Sequence, residues 1–368
     1  MECHEMQIKT VTMRALAIRV VSLLGLICLI SWEVWKAGDM FSTLKDQFAG
    51  GDIEKQFMKI SLELEENELP AFSQAADIEN AMMQRARKQN LVKHCHKRNR
   101  TEIYPAGQNQ ITGLNRAAFR NILVSDKNQL LYCMVPKVAC SNWRRVLLVL
   151  EGYIQDPQAL DSTDVHNNTF GLLRPLSDYS SDEIIFRLST YYKFMFVRNP
   201  IERLTSAFRS KFVESRVAFF REVFGKYILE RYRPDTPTDQ ATKGDGVTFR
   251  DFVQYVVDSP PEHPDYVNAH WERYDRLCLP CLIYYDYIGK FETMDDDADY
   301  LLRLIDAKSK VSLPRLKSNY RVPTKALSNF YFRSLSSDLQ EKLVKTYKHD
   351  FEMFGYKKPT ITHDKKRK

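Results

Sequence analysis

Two segments of the sequence combine residue types that bind phosphate, and each follows an apolar run typical of a buried strand. The first is "PKVACSN" (residues 136–142), which lies between the strand-like run "LLYCMV" (130–135) and a helix-like run. A loop at such a junction directs backbone N–H groups, and the positive end of the following helix, at one anion. Lys137 adds a point charge, while Ser141 and Asn142 offer side-chain hydrogen bonds and suit the N-cap of the helix. The segment lacks the glycines of a Walker loop, so an anion site of another type is predicted.

The second segment is "KFMFVRNPIERLTSAFRSKF" (193–212). Arg198 directly follows the strand-like run, where a guanidinium can make bidentate contacts with phosphate. Ser206 lies about two helical turns further on, where its hydroxyl can reach the same anion. Three more basic residues strengthen the positive field: Arg203, Arg209 and Lys211. An Arg–Ser pair downstream of a lysine-bearing loop favours one shared anion-binding site.

The elements that must position these residues alternate between strands and helices after about residue 119, which predicts an α/β domain with a parallel sheet. Continuous apolar runs predict strands at 130–135, 193–197 and 281–292. Amphipathic patterns predict helices in "NWRRVLLVLEG", from Pro200 onwards, in "TFRDFVQYVVD" and in "MDDDADYLLRLI". In parallel sheets, ligands bind where strands end and helices begin. The 368 residues are 44% apolar, enough for a packed core, and the net charge of +7 is compatible with an anionic ligand.

Four blocks of the sequence resemble a known family. The blocks are "VPKVACSNW", "FVRNPIERLTSAFRSKF", "AHWERYDRLCLPC" and "YDYIGKFETMDDDA". They are similar to the Golgi carbohydrate sulfotransferases of the HNK-1 type, which include the chondroitin and dermatan N-acetylgalactosamine 4-O-sulfotransferases. The resemblance covers about residues 119 to 357. One departure is Asn199, which stands where relatives often carry an acidic residue.

The resemblance implies the fold and the donor of this family. The fold is that of sulfotransferases using 3′-phosphoadenylyl sulfate (PAPS), a central parallel sheet flanked by helices, with P-loop-like strand–loop–helix units. The first segment would bind the 5′-phosphosulfate, with Lys137 at the bridging oxygen, and Arg198 and Ser206 would bind the 3′-phosphate. No metal is expected. The residues expected at the donor are Pro136, Lys137, Val138, Ala139, Cys140, Ser141, Asn142, Arg198, Asn199, Pro200, Ile201, Glu202, Arg203, Leu204, Thr205 and Ser206.

A general base must take the proton of the acceptor hydroxyl, and a histidine suits this role near neutral pH. The resemblance favours His166, in the polar loop between the two anion segments, as this base and Lys137 as the other catalytic residue. His270 beside Trp271 is the alternative, either as the base or as a packed structural histidine. Cys278-x-x-Cys281 is only half of a zinc site, so a disulfide or structural role is favoured there.

The N-terminus indicates the compartment. "ALAIRVVSLLGLICLISW" has a basic N-terminal flank and predicts a retained type II signal anchor over residues 15–35. A cleaved signal peptide is the alternative. The predicted order is a cytoplasmic tail (1–14), the anchor, a luminal stem (36–118) and a luminal sulfotransferase domain (119–368).

The sequons and cysteines agree with a luminal location. Asn99 and Asn167 are predicted glycosylation sites, and Asn99 is favoured because a glycan on Asn167 would crowd the acceptor. Five cysteines follow the anchor, so at least one stays free or pairs between chains.

The function that the resemblance implies is sulfation of a glycan hydroxyl in the Golgi membrane, with a glycosaminoglycan or other glycan acceptor, no nucleic-acid partner and possible homo-oligomers. The leading acceptor is the 4-OH of N-acetylgalactosamine in chondroitin or dermatan. The 3-OH of glucuronic acid and terminal N-acetylgalactosamine of N-glycans stay open. A non-catalytic luminal glycan-binding or scaffold protein is the alternative from another class. A nucleotide kinase is disfavoured because a Walker loop is lacking.

Overall fold

The computed structural model describes residues 75–97, 113, 115–161, 164–165, 171–214, 218–259, 268–315 and 323–362. The predicted tail and anchor, most of the predicted stem, and Asn99, His166 and Asn167 lie outside these residues. Within the described ranges, no helix has both the length and the apolar character needed to cross a membrane.

The strands are β1 (Ile122–Ser125), β2 (Leu130–Cys133), β3 (Tyr192–Val197) and β4 (Tyr287–Lys290). The helices are α1 (Ala75–Lys97), α2 (Cys140–Glu151), α3 (Ser181–Thr190), α4 (Pro200–Phe208), α5 (Lys226–Tyr232), α6 (Thr238–Lys243), α7 (Phe249–Asp258), α8 (Tyr274–Leu277), α9 (Met294–Leu304), α10 (Thr324–Ser334), α11 (Ser337–Thr346) and α12 (Lys348–Met353). Wider helical turns continue α4 over Arg209–Val213 and precede α5 over Phe220–Gly225. Short 3-10 turns lie at Arg116–Phe119, Leu176–Asp178 and Phe291–Thr293.

The four strands form one sheet in the order β1-β2-β3-β4. The strands β2, β3 and β4 are parallel, which confirms the predicted parallel α/β core. The first strand was not predicted; it pairs antiparallel with β2 through a tight turn over residues 126–129, so the sheet is mixed. In the register, Cys133 at the end of β2 lies beside Met195 of β3. The loops that follow β2 and β3 therefore leave the same edge of the sheet.

The core behind these two loops is aromatic. Trp143 of α2 is fully buried and packs against β3, with ring centroids 5.1 Å from Phe194 and 4.8 Å from Phe196. Tyr132 of β2 stacks on Phe194 at 5.0 Å. On β4, a Cβ at Gly289 would overlap the ring of Phe196, so only glycine fits there. These contacts fix the starts of the loops after β2 and β3.

The edge of β4 is covered by α1, which lies inside the range predicted as a stem. The side-chain amide of Gln84 accepts from Ile288 N (3.0 Å) and donates to Ile288 O (3.1 Å), and so satisfies the backbone of the edge strand. Arg87 bonds to the same carbonyl and pairs with buried Asp297 at 2.8 Å. Part of the predicted stem thus packs on the sheet through polar contacts.

Two disulfides link distant parts of the chain. Cys133 at the end of β2 is bonded to Cys278, and Cys95 of α1 is bonded to Cys281. The favoured disulfide interpretation of the Cys278-x-x-Cys281 pair is therefore confirmed, with each cysteine bonded to a different partner. Cys140 is the free cysteine among the described residues.

Candidate functional site

The loop between β2 and α2 (residues 134–139, the anion loop) contains two residues in left-handed conformations. Lys137 has φ of 72° and Ala139 has φ of 57°. Residues with a Cβ avoid this region, and the strain is tolerated where the surroundings hold the loop in place. The first turn of α2 begins at Cys140, and no side chain within the described ranges caps it. The first N–H groups of α2 are therefore suited to an anion.

The prediction that Ser141 and Asn142 cap this helix is wrong. The N-cap is Ala139, so both residues lie in the first helical turn. The amide of Asn142 instead donates to Pro314 O at 2.7 Å and accepts from Arg145 at 2.6 Å. Asn142 thereby attaches the chain around residue 314 to the start of α2.

Lys137 is half-buried and points toward the helix that follows β3. Its Nζ donates to the hydroxyl of Ser210 at 2.8 Å, and that hydroxyl donates to Ala207 O. Burial, reinforced by the positive charges of Lys211 and Arg198, lowers the pKa of Lys137 to about 8. An anion at this point would relieve the electrostatic cost of holding three cations together.

Arg198 lies directly after β3 and is 5% exposed. Among the described residues, the polar contacts of its guanidinium are long, 3.4 Å to Lys137 O and 3.5 Å to the carboxylate of Glu202. Within the described ranges its buried Nε has no hydrogen-bond partner. The guanidinium lies over the ring of Phe291, 4.0 Å from its centroid. Burial lowers the pKa of Arg198, and a buried donor of this kind is suited to a ligand oxyanion.

Arg203 is also buried, but its hydrogen bonds differ from those of Arg198. It is 1% exposed, and its three guanidinium nitrogens donate to Pro136 O, Glu272 O and Ala269 O at 3.2, 2.7 and 2.9 Å. Arg203 thus joins the anion loop to the loop 268–273. Arg203 was expected at the donor, but its guanidinium instead binds backbone carbonyls.

A buried carboxylate supports the backbone of Arg198 from a distant helix. The hydroxyl of Tyr274 accepts from Arg198 N at 2.8 Å and donates to Arg198 O at 3.1 Å. The backbone N–H of Tyr274 donates in turn to Asp350 of α12 at 3.2 Å. Burial raises the pKa of Asp350 well above its usual range, although the nearby Arg203 charge opposes this.

The remaining predicted residues of α4 divide into two groups. Asn199 caps the helix through its side chain, which accepts from Ile201 N and Glu202 N, and Pro200 occupies the first turn. Ser206 lies two turns along, 8% exposed. The side chains of Ile201 and Leu204 belong to the hydrophobic core, and Thr205 is fully buried. The structure therefore gives Asn199 and the core-facing residues a role in positioning Arg198 and Ser206.

His270, the alternative base, lies in the loop that Arg203 attaches to Pro136. Its Nδ1 and the side-chain oxygen of Asn268 are 2.8 Å apart, so a protonated Nδ1 donates there and leaves Nε2 as the basic nitrogen. Its ring packs edge-on against the ring of Phe220 at 5.4 Å. The ammonium of Lys211 lies over the Phe220 ring. His270 is therefore packed on one side and partly exposed to solvent.

The arrangement can hold two anionic groups. The anion loop with Lys137 offers one cationic position, and Arg198 with the start of α4 offers a second. Four residues that contribute to the site were not predicted from the sequence: Ser210, Tyr274, Glu292 and Asp350. Glu292 accepts from Asn199 N at 2.8 Å. Only Ser210 carried a sequence signal, because it lies one helical turn beyond Ser206 on the same face.

Comparison with known proteins gives a consistent result. A model of the sulfotransferase family matches residues 120–357. Carbohydrate sulfotransferase 8 of Mus musculus is 43% identical over 241 residues, which are 65% of this chain and 57% of that protein. Carbohydrate sulfotransferase 14 of Danio rerio is 37% identical over 289 residues, 78% of this chain and 75% of that protein. Carbohydrate sulfotransferase 11 of Rattus norvegicus is 37% identical over 242 residues, 65% of this chain and 68% of that protein. No solved structure matches the chain.

Proposed function

We propose, on the premise that this chain belongs to the sulfotransferase family, that it transfers a sulfuryl group from PAPS to a hydroxyl of a glycan. The observation that carries the proposal is a pair of cations just beyond the ends of adjacent parallel strands, half-buried Lys137 and buried Arg198. The relatives reported above are named carbohydrate sulfotransferases, which supports a sugar acceptor.

The donor fits the described residues. The uncapped start of α2 and Lys137 would bind the 5′-phosphosulfate, and Arg198 with Ser206 would bind the 3′-phosphate. The unpartnered Nε of Arg198 would donate to a phosphate oxygen, and the weak pair with Glu202 would give way to the stronger charge. Arg198 also contacts Lys137 O, so the anion loop would lie next to both the 5′-phosphosulfate and the residue that binds the 3′-phosphate.

Sulfuryl transfer then needs three actions. A base takes the proton of the acceptor hydroxyl, whose oxygen forms the new bond to sulfur while the bond from sulfur to the bridging oxygen breaks. Lys137 would stabilise the negative charge that develops on the bridging oxygen, and Ser210 would orient its ammonium. His166 is the proposed base and His270 the alternative. In His270 the contact of Nδ1 with Asn268 would leave Nε2 to accept the proton.

The acceptor and the location are finer parts of the proposal. The leading acceptor is the 4-OH of N-acetylgalactosamine in chondroitin or dermatan, supported by the resemblance of the four sequence blocks. The proposed location is the Golgi membrane, with residues 15–35 as a type II anchor, a luminal catalytic domain and Asn99 as the favoured glycosylation site. The two disulfides support a domain that folds in an oxidising compartment.

The test is transfer of labelled sulfate from PAPS by the full-length chain to a panel of acceptors. The panel contains desulfated chondroitin, dermatan, a glucuronic-acid-capped glycan and an N-glycan ending in N-acetylgalactosamine. Labelled chondroitin or dermatan, lost in Lys137→Ala and in His166→Ala but not in His270→Ala, is the expected result.

Three other results would change the proposal. Loss of transfer in His270→Ala with retention in His166→Ala would assign the base to His270. Label on another panel member would change the acceptor. A chain that binds no PAPS would contradict the enzyme proposal and favour the glycan-binding or scaffold alternative.

A further inference from the structure

Three potential metal ligands meet where α1 crosses α12, apart from the donor site. They are His94 of α1 and His349 and Glu352 of α12, and one ligand atom from each lies within 4.8 Å of the others. His94 Nδ1 is 3.6 Å from the Glu352 carboxylate, and the two imidazole rings are 5.2 Å apart in an edge-on arrangement. His349 and Glu352 are three residues apart on one helix, so they share a face.

The chemistry of this donor set is specific. Two imidazoles and one carboxylate are preferred by zinc and related transition metals, whereas calcium and magnesium prefer oxygen ligands. In a tetrahedral zinc site with bonds of about 2.1 Å, ligand atoms lie about 3.4 Å apart. The 3.6 Å separation of His94 and Glu352 is already close to this spacing, and the other ligand-atom separations are at most 4.8 Å.

The surroundings fit a bound ion rather than a surface cluster. His94 is 7% exposed and His349 is partly buried, while the Glu352 side chain is 33% exposed and leaves a side open to water. The second carboxylate oxygen of Glu352 binds Lys358 at 2.6 Å, so one oxygen faces the lysine and the other faces His94. A cation at the histidines could therefore bind one oxygen of Glu352 while Lys358 keeps the other.

The cluster lies where α1 packs on α12, and other bonds already hold both helices in place. The amide of Asn90 on α1 donates to Glu352 O and Met353 O of α12, each at 2.8 Å. Cys95, next to His94, is bonded to Cys281. On α12, Asp350 lies next to His349 and binds Tyr274 N. An ion here would attach the helix that covers β4 to the helix that supports Arg198.

We propose that His94, His349 and Glu352 bind one zinc ion that clamps α1 onto α12. No metal is expected from the sequence, because the resemblance implies a transfer that requires none. His94 lies more than 250 residues from His349 and Glu352, so the three ligands form no sequence motif. The clamp stabilises the fold and is separate from the sulfuryl-transfer chemistry. Without an ion, His94 Nδ1 lies 3.6 Å from the carboxylate of Glu352.

Calorimetric titration of the chelator-treated full-length chain with zinc tests the site independently of catalysis. We expect one site per chain that raises the Tm and that weakens by more than about 100-fold in His349→Ala, beyond the effect of outer ligands. Glu352→Gln, at a partly exposed position, should also weaken the site while keeping the fold. His96→Ala, an exposed histidine on the same helix, is the matched control and should bind as the unmodified chain does.

Two further measurements separate this site from other metal-binding groups. Cobalt should give the absorption of a tetrahedral nitrogen–oxygen site without a thiolate charge-transfer band, which excludes cysteine ligands. Lys358→Met removes the competing ammonium and should tighten zinc binding several-fold. The proposal is overturned if no one-to-one binding occurs, or if His349→Ala, Glu352→Gln and Lys358→Met all leave the zinc affinity unchanged. Activity plays no part in these readouts, so failure here does not affect the proposed sulfotransferase function.

Discussion

Arg203 offers the sharpest test of the structural argument, because its sequence context suggests a phosphate ligand and its contacts indicate a different role. The side chain donates to three backbone carbonyls and lies 4.8 Å from the ring of Tyr274. We expect Arg203→Lys to destabilise the protein strongly and to affect donor binding mainly through that loss. Arg198→Lys, in the same helical unit, should show the opposite pattern.

The magnitude follows from the carbonyls that lose their donor. Each buried carbonyl left without a hydrogen bond costs about 1–3 kcal/mol. A lysine at position 203 reaches one carbonyl at most, so two are lost and the free energy of unfolding falls by about 2–6 kcal/mol. Arg203→Met loses all three, about 3–9 kcal/mol, which approaches the stability of many domains, about 5–15 kcal/mol.

Two assays on the same preparations decide the matter. Urea unfolding gives the free energy of unfolding, and calorimetric titration gives the Kd for 3′-phosphoadenosine 5′-phosphate, the product that keeps both phosphate groups. Arg198→Lys should weaken this binding by about tenfold or more, since one charged hydrogen bond is worth about 1.5–3 kcal/mol. Its stability should change little, because the contacts of its guanidinium with the protein are long.

The reverse outcome would refute the reasoning. If Arg203→Lys unfolds at the same urea concentration as the unmodified chain and yet loses nucleotide affinity tenfold, Arg203 is a phosphate ligand. The three carbonyl contacts would then be incidental to stability, and the distinction drawn between the two arginines would fail.

Three other predictions follow from features of the sheet and its loops. Because the pKa of Lys137 is about 8 in the free protein and a bound anion raises it, nucleotide affinity should fall as pH rises above 8, by up to about tenfold per pH unit; Lys137→Arg should remove this dependence in titrations at several pH values. Cys281→Ser opens a loop of 186 residues and should lower stability in denaturant unfolding by up to about 5 kcal/mol, whereas Cys140→Ser, at the free cysteine, should not; equal stabilities would contradict the disulfide assignment. Gly289→Ala forces a methyl group into the ring of Phe196 and should cost about 1–3 kcal/mol in the same assay; an unchanged midpoint would mean that β4 moves freely.

The parts of the site that the sequence predicted are those in which neighbouring residues carry the information. The apolar run before Lys137 and the run before Arg198 each predict a buried strand, and the residues after each run are those that an anion prefers. Parallel pairing of β2 and β3 then brings the two loops together. In each segment the apolar run and the anion-binding residues are adjacent in sequence. The two loops could therefore be predicted without knowledge of the tertiary structure.

The parts that the sequence did not predict depend on polar contacts with distant backbone. Gln84 and Arg87 reach Ile288 across about 200 residues, and the apolar pattern of their helix is too weak to indicate a buried face. Arg203 bonds to carbonyls 66 to 69 residues away in sequence. Backbone carbonyls leave no trace in residue type, so an arginine that binds them looks the same in sequence as one that binds phosphate.

The support of Arg198 by Asp350 has a consequence for how the protein is made. Tyr274 and Asp350 are separated by 76 residues, which a ribosome adds in roughly 4–15 s. Throughout that interval the nascent chain already contains Lys137, Arg198 and Tyr274, but the carboxylate that fixes Tyr274 does not yet exist. A stop codon shortly before position 350 would thus yield a chain with every donor-site residue and no completed site, so damage near the C-terminus should act like a lesion in the donor site itself.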